Sequence, residues 1–208
     1  MLKIALSKGI LYDSSVDLLR KSGIKIEELE KSGRRLLISS ADNITYILAR
    51  PADVPTYVEY GAADIGFAGK DALMENETDV FELLDLEIGK CRFVLAQPKA
   101  GLQKTGRDYQ KLGQLRVATK YPVVAANYLS KKGIQAEIIT LRGSIELAPL
   151  TGLADMIIDL TTTGKTLAEN ELIELDEIAK CSARLVANSV STRLKYEEIQ
   201  DFMKRLKV

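Results

Sequence analysis

The sequence predicts an α/β protein made of two similar lobes that face a cleft. Its 208 residues, 46% hydrophobic and 28% charged, suit an ordinary globular chain with a substantial core. Strand, helix and glycine follow one another in a recurring order. That order occurs twice, and the last three of four equivalent features are about 90 residues apart. Such lobes bind ligands at the carboxyl ends of their parallel strands, so the cleft is the expected site.

The first copy begins with a strand and a helix. The segment "KIALSKG", residues 3–9, predicts the strand. The segment "DSSVDLLRKSGI" that follows predicts the helix, because Asp13 or Ser14 suits its amino-terminal cap and Gly23 suits its end.

The second copy begins in the same way. "RVATK" predicts the strand and "PVVAANYLSKKGI" predicts the helix. Pro122 suits a first helical turn, while Lys131, Lys132 and Gly133 suit a helix end.

The middle of each copy runs from an arginine to a G-x-A-D turn. Arg50 leads to the turn at residues 61–64, and Arg142 leads to the turn at residues 152–155. An apolar strand follows each turn, which indicates that both copies share one plan.

The end of each copy carries a Lys-Cys pair. "FELLDLEIGKCRFVLA" matches "NELIELDEIAKCSARLVA" with Cys91 and Cys181 aligned, and these segments are the predicted crossover strands or hinges. The predicted domains are therefore lobe I, residues 1–91 plus 181–208, and lobe II, residues 92–180.

Two features stand outside the repeat. The first copy has about 20 extra residues, whose "RRLLISS" and "NITYILA" predict two strands joined by a turn at residues 41–43. The carboxyl-terminal segment predicts an amphipathic helix. Its expected core contacts are Tyr196, Ile199, Phe202, Met203 and Leu206.

Composition excludes several classes of function. Lys+Arg and Asp+Glu are both 29, and this balance argues against duplex nucleic acid or an anionic membrane as the main partner. The chain has no histidine and only two cysteines, which excludes Ser-His-Asp and Cys-His catalysis and the commonest zinc sites. The amino terminus does not resemble a signal peptide, and no apolar run reaches the roughly 18 residues of a membrane span, so a cytoplasmic location is expected.

The stretch "DMIIDLTTTGKTLAEN", residues 155–170, concentrates groups that suit a phosphate. Its Gly-Lys-Thr resembles half of an ATP-binding P-loop, but Asp159 stands where that motif needs its first glycine. Threonine hydroxyls and consecutive loop N–H groups can instead surround a phosphate monoester, with a preceding acid accepting hydrogen bonds from a sugar. The alternative is a threonine-rich connection between a strand and a helix.

The whole chain resembles the short form of ATP phosphoribosyltransferase. The resemblance rests on "ALSKG", "RPADVPTYVEYGAADIGFAGKD", "RGSIELAP" and "GLADMIIDLTTTGKTLAEN". It implies a fold like type II periplasmic binding proteins. It also implies the first step of histidine biosynthesis, in which phosphoribosyl pyrophosphate (PRPP) and ATP give phosphoribosyl-ATP and pyrophosphate. The implied cofactor is Mg2+, carried by PRPP.

The resemblance also implies roles for individual residues. The PRPP-binding residues would be Glu146, Thr161, Thr162, Thr163, Gly164, Lys165 and Thr166. The residues for ATP or pyrophosphate would be Lys8, Gly9, Arg50, Gly69 and Lys70. Arg50, Asp155 and Asp159 would be catalytic, with the two aspartates at the ribose hydroxyls or, through water, at the magnesium ion. The alternative for Asp155 is a cap of the G-x-A-D turn.

One position departs from the family pattern. Family members commonly continue the first loop as K-G-R-L, whereas this chain has Ile10 after Lys8 and Gly9. The phosphate or carboxylate that the arginine would meet then needs another cation, such as Lys8 or Arg50.

The resemblance implies partners as well. A short form would work with a regulatory subunit similar to histidyl-tRNA synthetase in a hetero-octamer, with homodimers of the catalytic chain, or else alone as a dimer. Two other hypotheses remain open at this point. They are a solute-binding module that shares the bilobal fold and a type I phosphoribosyltransferase that uses a free base.

Overall fold

The computed structural model describes residues 1–103 and 115–206. The chain divides into two compact units, Met1–Lys90 with Ser182–Val208 (unit 1) and Cys91–Cys181 (unit 2). Each boundary lies one residue from its expected position. No helix in the described ranges is long and apolar enough to cross a membrane.

Both units are α/β, each with its own mixed sheet. The strands are β1 (Leu2–Ser7), β2 (Leu37–Ser39), β3 (Ile44–Ala49), β4 (Ile65–Gly69), β5 (Phe81–Asp85), β6 (Cys91–Pro98), β7 (Leu115–Thr119), β8 (Ala136–Thr140), β9 (Met156–Thr161), β10 (Leu172–Cys181) and β11 (Ala183–Ala187). The α-helices are α1 (Ile10–Lys21), α2 (Glu27–Glu30), α3 (Val54–Glu59), α4 (Lys70–Asn76), α5 (Pro122–Lys132), α6 (Leu147–Leu150), α7 (Lys165–Glu169), α8 (Ser189–Leu194) and α9 (Tyr196–Arg205). Short 3-10 turns lie at Pro51–Asp53 and Lys99–Gln103.

The two sheets confirm the internal repeat. Unit 1 has the strand order β2-β3-β1-β4-β11-β5, and unit 2 has the order β8-β7-β9-β6-β10. In unit 1, β1 runs parallel to β3 and β4 while β11 is antiparallel to β4. In unit 2, β7 runs parallel to β8 and β9 while β6 is antiparallel to β9. The units therefore match strand for strand, with β2 as the addition in unit 1.

The predicted crossover strands are also confirmed. Strand β6 follows the first copy of the repeat but pairs with β9 and β10 of unit 2. Strand β11 follows the second copy but pairs with β4 and β5 of unit 1. Each copy is therefore followed by a strand that lies inside the other unit's sheet, next to its edge strand.

The sequence predicted most helix ends and missed one helix start. Helix α5 begins at Pro122 and ends at Gly133 (φ 66°), and Gly23 (φ 71°) lies just beyond α1, as expected. The predicted cap of α1 at Asp13 or Ser14 is wrong, because α1 begins at Ile10 with Gly9 as its cap. Gly9 has φ 82° and ψ −145°, a conformation open mainly to glycine, so the helix starts without a side-chain cap.

Core packing explains the additions to unit 1. The predicted strand pair is confirmed, because β2 runs antiparallel to β3. Tyr46 of β3 is fully buried in the core. Ile199, Phe202 and Leu206 bury the apolar face of α9, as predicted. Tyr196 is 59% exposed and is not a core residue, because it begins the helix at the edge of that face.

Candidate active site

Strand β9 positions the threonine-rich segment. Its residues Ile157 and Ile158 are fully buried, and β9 pairs with β6 on one side and β7 on the other. The chain leaves the sheet at Thr161 and enters α7 at Lys165. A rigid central strand therefore fixes the start of the loop, residues 161–164.

Threonine hydroxyls of the loop accept hydrogen bonds from nearby backbone N–H groups. The Gly164 N–H donates to Thr161 Oγ1 at 2.9 Å, and the Lys165 N–H lies 3.4 Å from Thr163 Oγ1. Gly164 has φ 78° and ψ 0°, which favours glycine at this turn. Thr162, Thr163 and Thr166 are exposed. Because α7 has only five residues and these two N–H groups are engaged within the segment, we expect the threonine hydroxyls, rather than a helix dipole, to dominate anion binding.

A pocket of about 200 Å3 opens beside this loop. Its lining consists of Glu146, Asp159, Leu160, Thr161, Thr162, Thr163, Lys165, Thr166 and Leu167. The volume is below the ~300–1,000 Å3 of pockets for drug-sized ligands, so a small polar ligand fits it better. The structure thus brings the predicted threonines, Lys165, Glu146 and Asp159 together.

Asp159 is the chemically unusual group of the pocket. The pKa of Asp159 is raised to about 6, mainly by burial and also by the nearby Glu146 carboxylate, while the Leu160 N–H and Lys120 act in the opposite direction. The Leu160 N–H lies 2.8 Å from Asp159 Oδ1. A carboxyl with this pKa changes charge near neutral pH, so hydroxyl donors or a cation in the pocket would favour its ionised form.

Asp155 does not line this pocket. It precedes β9, four residues before Asp159, which corresponds to about 13 Å along an extended strand. Its Oδ2 accepts a hydrogen bond from the Arg116 N–H at 2.9 Å and lies 3.6 Å from Arg116 Nε. The structure does not bring Asp155 to the pocket, and its contacts are those of the cap that the sequence allowed as an alternative.

The predicted basic residues of unit 1 converge at one sheet edge. Lys8, Arg50 and Gly69 stand at the carboxyl ends of β1, β3 and β4, which are parallel neighbours. Ser7 is the Cα partner of Ala49, so the next residues, Lys8 and Arg50, are also adjacent. Both side chains are exposed, and such an edge suits an anionic ligand.

Lys70 is already engaged. Its N–H donates to the Ser182 carbonyl at 3.0 Å, and its ammonium forms an ion pair with Glu82. Both the N–H and the ammonium of Lys70 are therefore engaged within unit 1 in this structure. The acceptor of the N–H, Ser182, directly precedes β11 and lies more than a hundred residues later in the sequence.

Sequence reasoning missed Lys120. It follows β7 directly, and its positive charge acts on Asp159. The lysine of "RVATK" was visible in the sequence, but only the register of β7 on β9 places it beside this acid.

The carboxylates fit a hard metal only in part. Among the described residues, no group of three or more His, Cys, Asp or Glu side chains forms a metal cluster. Glu146 and Asp159 offer oxygen donors in one pocket. Magnesium is commonly held by one or two carboxylates together with ligand phosphates and water, and these two side chains fit that pattern.

Known proteins are similar to this chain in sequence. A family model described as HisG, ATP phosphoribosyltransferase, matches residues 50–208. ATP phosphoribosyltransferase of Moorella thermoacetica is 47% identical over 210 residues, covering 100% of this chain and 92% of that protein.

Solved structures are similar to this chain in fold. The chain is 42% identical to a chain of the HisG:HisZ ATP phosphoribosyl transferase complex from Thermotoga maritima, with TM-score 0.84 and coverage of 99% of this chain and 96% of that one. The periplasmic aliphatic sulphonate binding protein of Escherichia coli has TM-score 0.60 at 14% identity, covering 99% and 70%, and shows the fold alone. The chain therefore has a type II periplasmic-binding-protein-like fold and belongs to the ATP phosphoribosyltransferase family, the enzymes that catalyse the first step of histidine biosynthesis.

Proposed function

We propose that the pocket of unit 2 is the PRPP site of this enzyme and that unit 1 supplies the ATP side. The single observation that carries the proposal is the 200 Å3 pocket lined by the threonine loop, Asp159 and Glu146. The pocket joins groups for a phosphate monoester and groups for a sugar within one small space.

Each end of the pocket suits a different part of PRPP. The hydroxyls of residues 161–163 and Thr166, with the Lys165 ammonium, would bind the 5′-phosphate. Asp159 and Glu146 would accept hydrogen bonds from the ribose hydroxyls. These bonds favour the ionised form of Asp159, which burial alone disfavours.

The metal ion that the family uses would be Mg2+ bound with PRPP. Asp159 and Glu146 are the side chains that would reach it, directly or through water, and it would neutralise charge on the departing pyrophosphate.

The ATP side would lie at the carboxyl edge of β1, β3 and β4. Lys8 and Arg50 are adjacent exposed cations there, and Gly9 leaves the approach to the backbone open because a Cβ at its position would have nothing within 4 Å. Arg50 would contact phosphate oxygens as a planar, permanently charged donor.

The chemistry requires positioning more than proton transfer. Adenine N1 attacks with a lone pair that it already has, so no strong general base is needed, and a chain without histidine suffices. The residues of this chain would hold the two substrates in line and stabilise charge on the leaving group.

A regulatory partner belongs to the proposal. The Thermotoga maritima structure is a complex of HisG with HisZ, and this chain aligns with 96% of the matched chain. We propose that this chain likewise works with a subunit similar to histidyl-tRNA synthetase, in a hetero-octamer built on catalytic homodimers.

Pyrophosphate release tests the proposed site. Purified chain would be mixed with ATP, PRPP and Mg2+, with and without the partner subunit. The double variant Thr163→Val/Thr166→Val should lose most activity at low PRPP because it removes two hydroxyl donors from the pocket. Thr151→Val is the matched control, since Thr151 Oγ1 donates within its own turn, to the carbonyls of Leu147 at 2.9 Å and Ala148 at 3.2 Å. Equal activity of the double variant and the control would refute the loop assignment.

A further inference from the structure

The end of β7 places a lysine beside Asp159. Thr119 is the Cα partner of Ile158 in the parallel pair β7–β9, so the next position along each strand sets Lys120 beside Asp159. In unit 1 the corresponding pair is β1–β4, where Leu6 is the partner of Phe67. The next residues there are Ser7 and Ala68, which are uncharged and buried. The charged pair is thus an addition to the shared scaffold.

Aromatic packing sets the direction of the Lys120 side chain. Its Nζ lies 5.6 Å from the centroid of the Tyr121 ring. That ring packs edge-on against Phe93, with centroids 4.9 Å apart. Phe93 is fully buried and is the Cα partner of Leu160 on β9. The ammonium is therefore held toward the β9 side of β7, where it also lowers the pKa of Asp159.

The charges of the pocket lining leave room for a further cation. Its lining contains two carboxylates, Glu146 and Asp159, and one cation, Lys165. Lys165 Nζ lies 3.7 Å from Glu169 and its side chain is 79% exposed, so it sits at the solvent side of the loop. A ligand that is anionic at both ends needs a second cation at the end away from the loop.

We propose that Lys120 binds the pyrophosphate group of PRPP, an inference that rests on the proposed PRPP site. The loop begins beyond Asp159 along β9, whereas Lys120 lies beside Asp159 on the neighbouring strand, about 4.8 Å away at the usual strand spacing. With the 5′-phosphate in the loop and the ribose at Asp159 and Glu146, the opposite end of the ligand comes to Lys120.

Two measurements separate the two ends of the ligand. Ribose 5-phosphate lacks the pyrophosphate group of PRPP, so its inhibition constant reports on the loop and on the ribose contacts. The KM for PRPP reports on both ends. Both would be measured in Lys120→Met, in Lys120→Arg, which keeps the charge, and in the control Lys131→Met. Lys131 is exposed near the far end of α5, about 15 Å away along the helix.

A selective loss is the expected result. Lys120→Met should raise the KM for PRPP about tenfold or more, the effect of removing one charged hydrogen bond. The inhibition constant for ribose 5-phosphate should stay within about twofold, and Lys120→Arg should restore most of the PRPP affinity. Lys131→Met should match the wild-type chain. Thermal melting would verify that every variant folds.

Other outcomes overturn the inference. An unchanged KM for PRPP in Lys120→Met would show that Lys120 does not bind this substrate. An equal loss for PRPP and ribose 5-phosphate would place Lys120 at the sugar or the loop. Failure of the proposed site looks different, because ribose 5-phosphate would then inhibit Thr163→Val/Thr166→Val as strongly as it inhibits the wild-type chain.

Discussion

Asp64 and Asp155 make the same backbone hydrogen bond in the two units. Asp64 Oδ2 accepts from the Lys3 N–H at 2.8 Å, and Asp155 Oδ2 accepts from the Arg116 N–H at 2.9 Å. Lys3 and Arg116 are the second residues of β1 and β7. Each acid thus ties the start of one parallel strand to the next, so the aspartate of the G-x-A-D turn is part of the scaffold.

This relationship predicts a clear difference between two neighbouring acids. Asp155→Asn should leave the KM for PRPP within about twofold, because its contacts lie at the far end of β9. Asp159→Asn should raise that KM about tenfold or more, because it lines the pocket. Steady-state kinetics at varied PRPP checks both. A strong PRPP defect in a folded Asp155→Asn variant would return that residue to the active site.

Asp64 should matter more for stability than Asp155. It is 5% exposed and also accepts from Lys195 Nζ at 2.6 Å and Ser191 Oγ at 2.7 Å. Burial raises the pKa of Asp64, but these hydrogen bonds lower it more, so the net pKa is below the usual value. Asp64→Asn should lower the free energy of unfolding by about 1–3 kcal/mol at pH 7, measured in urea. The loss should fade as the pH falls through the folded pKa, because the Asp64 carboxylate is then protonated in the wild-type chain too. An equal or larger loss in Asp155→Asn would contradict this ranking.

Asp159 should destabilise the ligand-free chain at neutral pH. Its folded pKa of about 6 exceeds the ordinary aspartate pKa of 3.8, so the folded chain binds more protons between these values. Stability due to Asp159 is therefore present at low pH and is lost as the pH rises through about 6. The free energy of unfolding of Asp159→Asn should exceed that of the wild-type chain by about 1–3 kcal/mol at pH 8, with little difference near pH 4. Urea melts in EDTA at both pH values test this, and a pH-independent difference would refute it.

Gly66 is predicted to be a packing position. A Cβ there would lie 2.7 Å from Val58 Cγ2 and 3.0 Å from Val54 Cγ1, so helix α3 rests directly on β4. Gly66→Ala should cost about 1–3 kcal/mol in the free energy of unfolding. Gly143→Ala is the control, because a Cβ at Gly143 has nothing within 4 Å. Equal urea midpoints for the two variants would show that α3 moves aside at little cost.

Arg50 should affect ATP more than ribose 5-phosphate. It stands at the carboxyl edge of β3 in unit 1, beside Lys8, whereas the proposed phosphate pocket is formed by unit 2 residues. Arg50→Met should lower kcat/KM for ATP about tenfold or more and leave ribose 5-phosphate inhibition within about twofold. Arg193→Met, an exposed arginine of α8, provides the control. A variant whose only defect is weaker ribose 5-phosphate inhibition would contradict the assignment of Arg50.

The features that were predicted correctly are those that a few adjacent residues determine. The repeat and the crossover strands depend on short segments whose order is preserved in each copy, and the strand-to-helix turn at the threonine loop depends on one such segment in the second copy. Gly133 and Pro122 mark helix ends through their own backbone preferences, so they were predicted correctly. In each of these cases a few adjacent residues carry the information.

The errors arose where strand direction or pairing decides position. Asp155 and Asp159 are close in sequence, but an extended strand sets them about 13 Å apart. The Lys70 N–H bonds to the Ser182 carbonyl, and the β7–β9 register places Lys120 beside Asp159. Neither pairing can be read from a single sequence segment.

The binding of ribose 5-phosphate tests the central claim most directly, namely that the loop at residues 161–164, together with Lys165 and Thr166, holds the 5′-phosphate of PRPP. Isothermal titration would compare the wild-type chain, Thr163→Val/Thr166→Val and the control Thr151→Val. We predict that the double variant binds about tenfold more weakly or worse, while the control matches wild type. Unchanged affinity in a folded double variant would contradict the account.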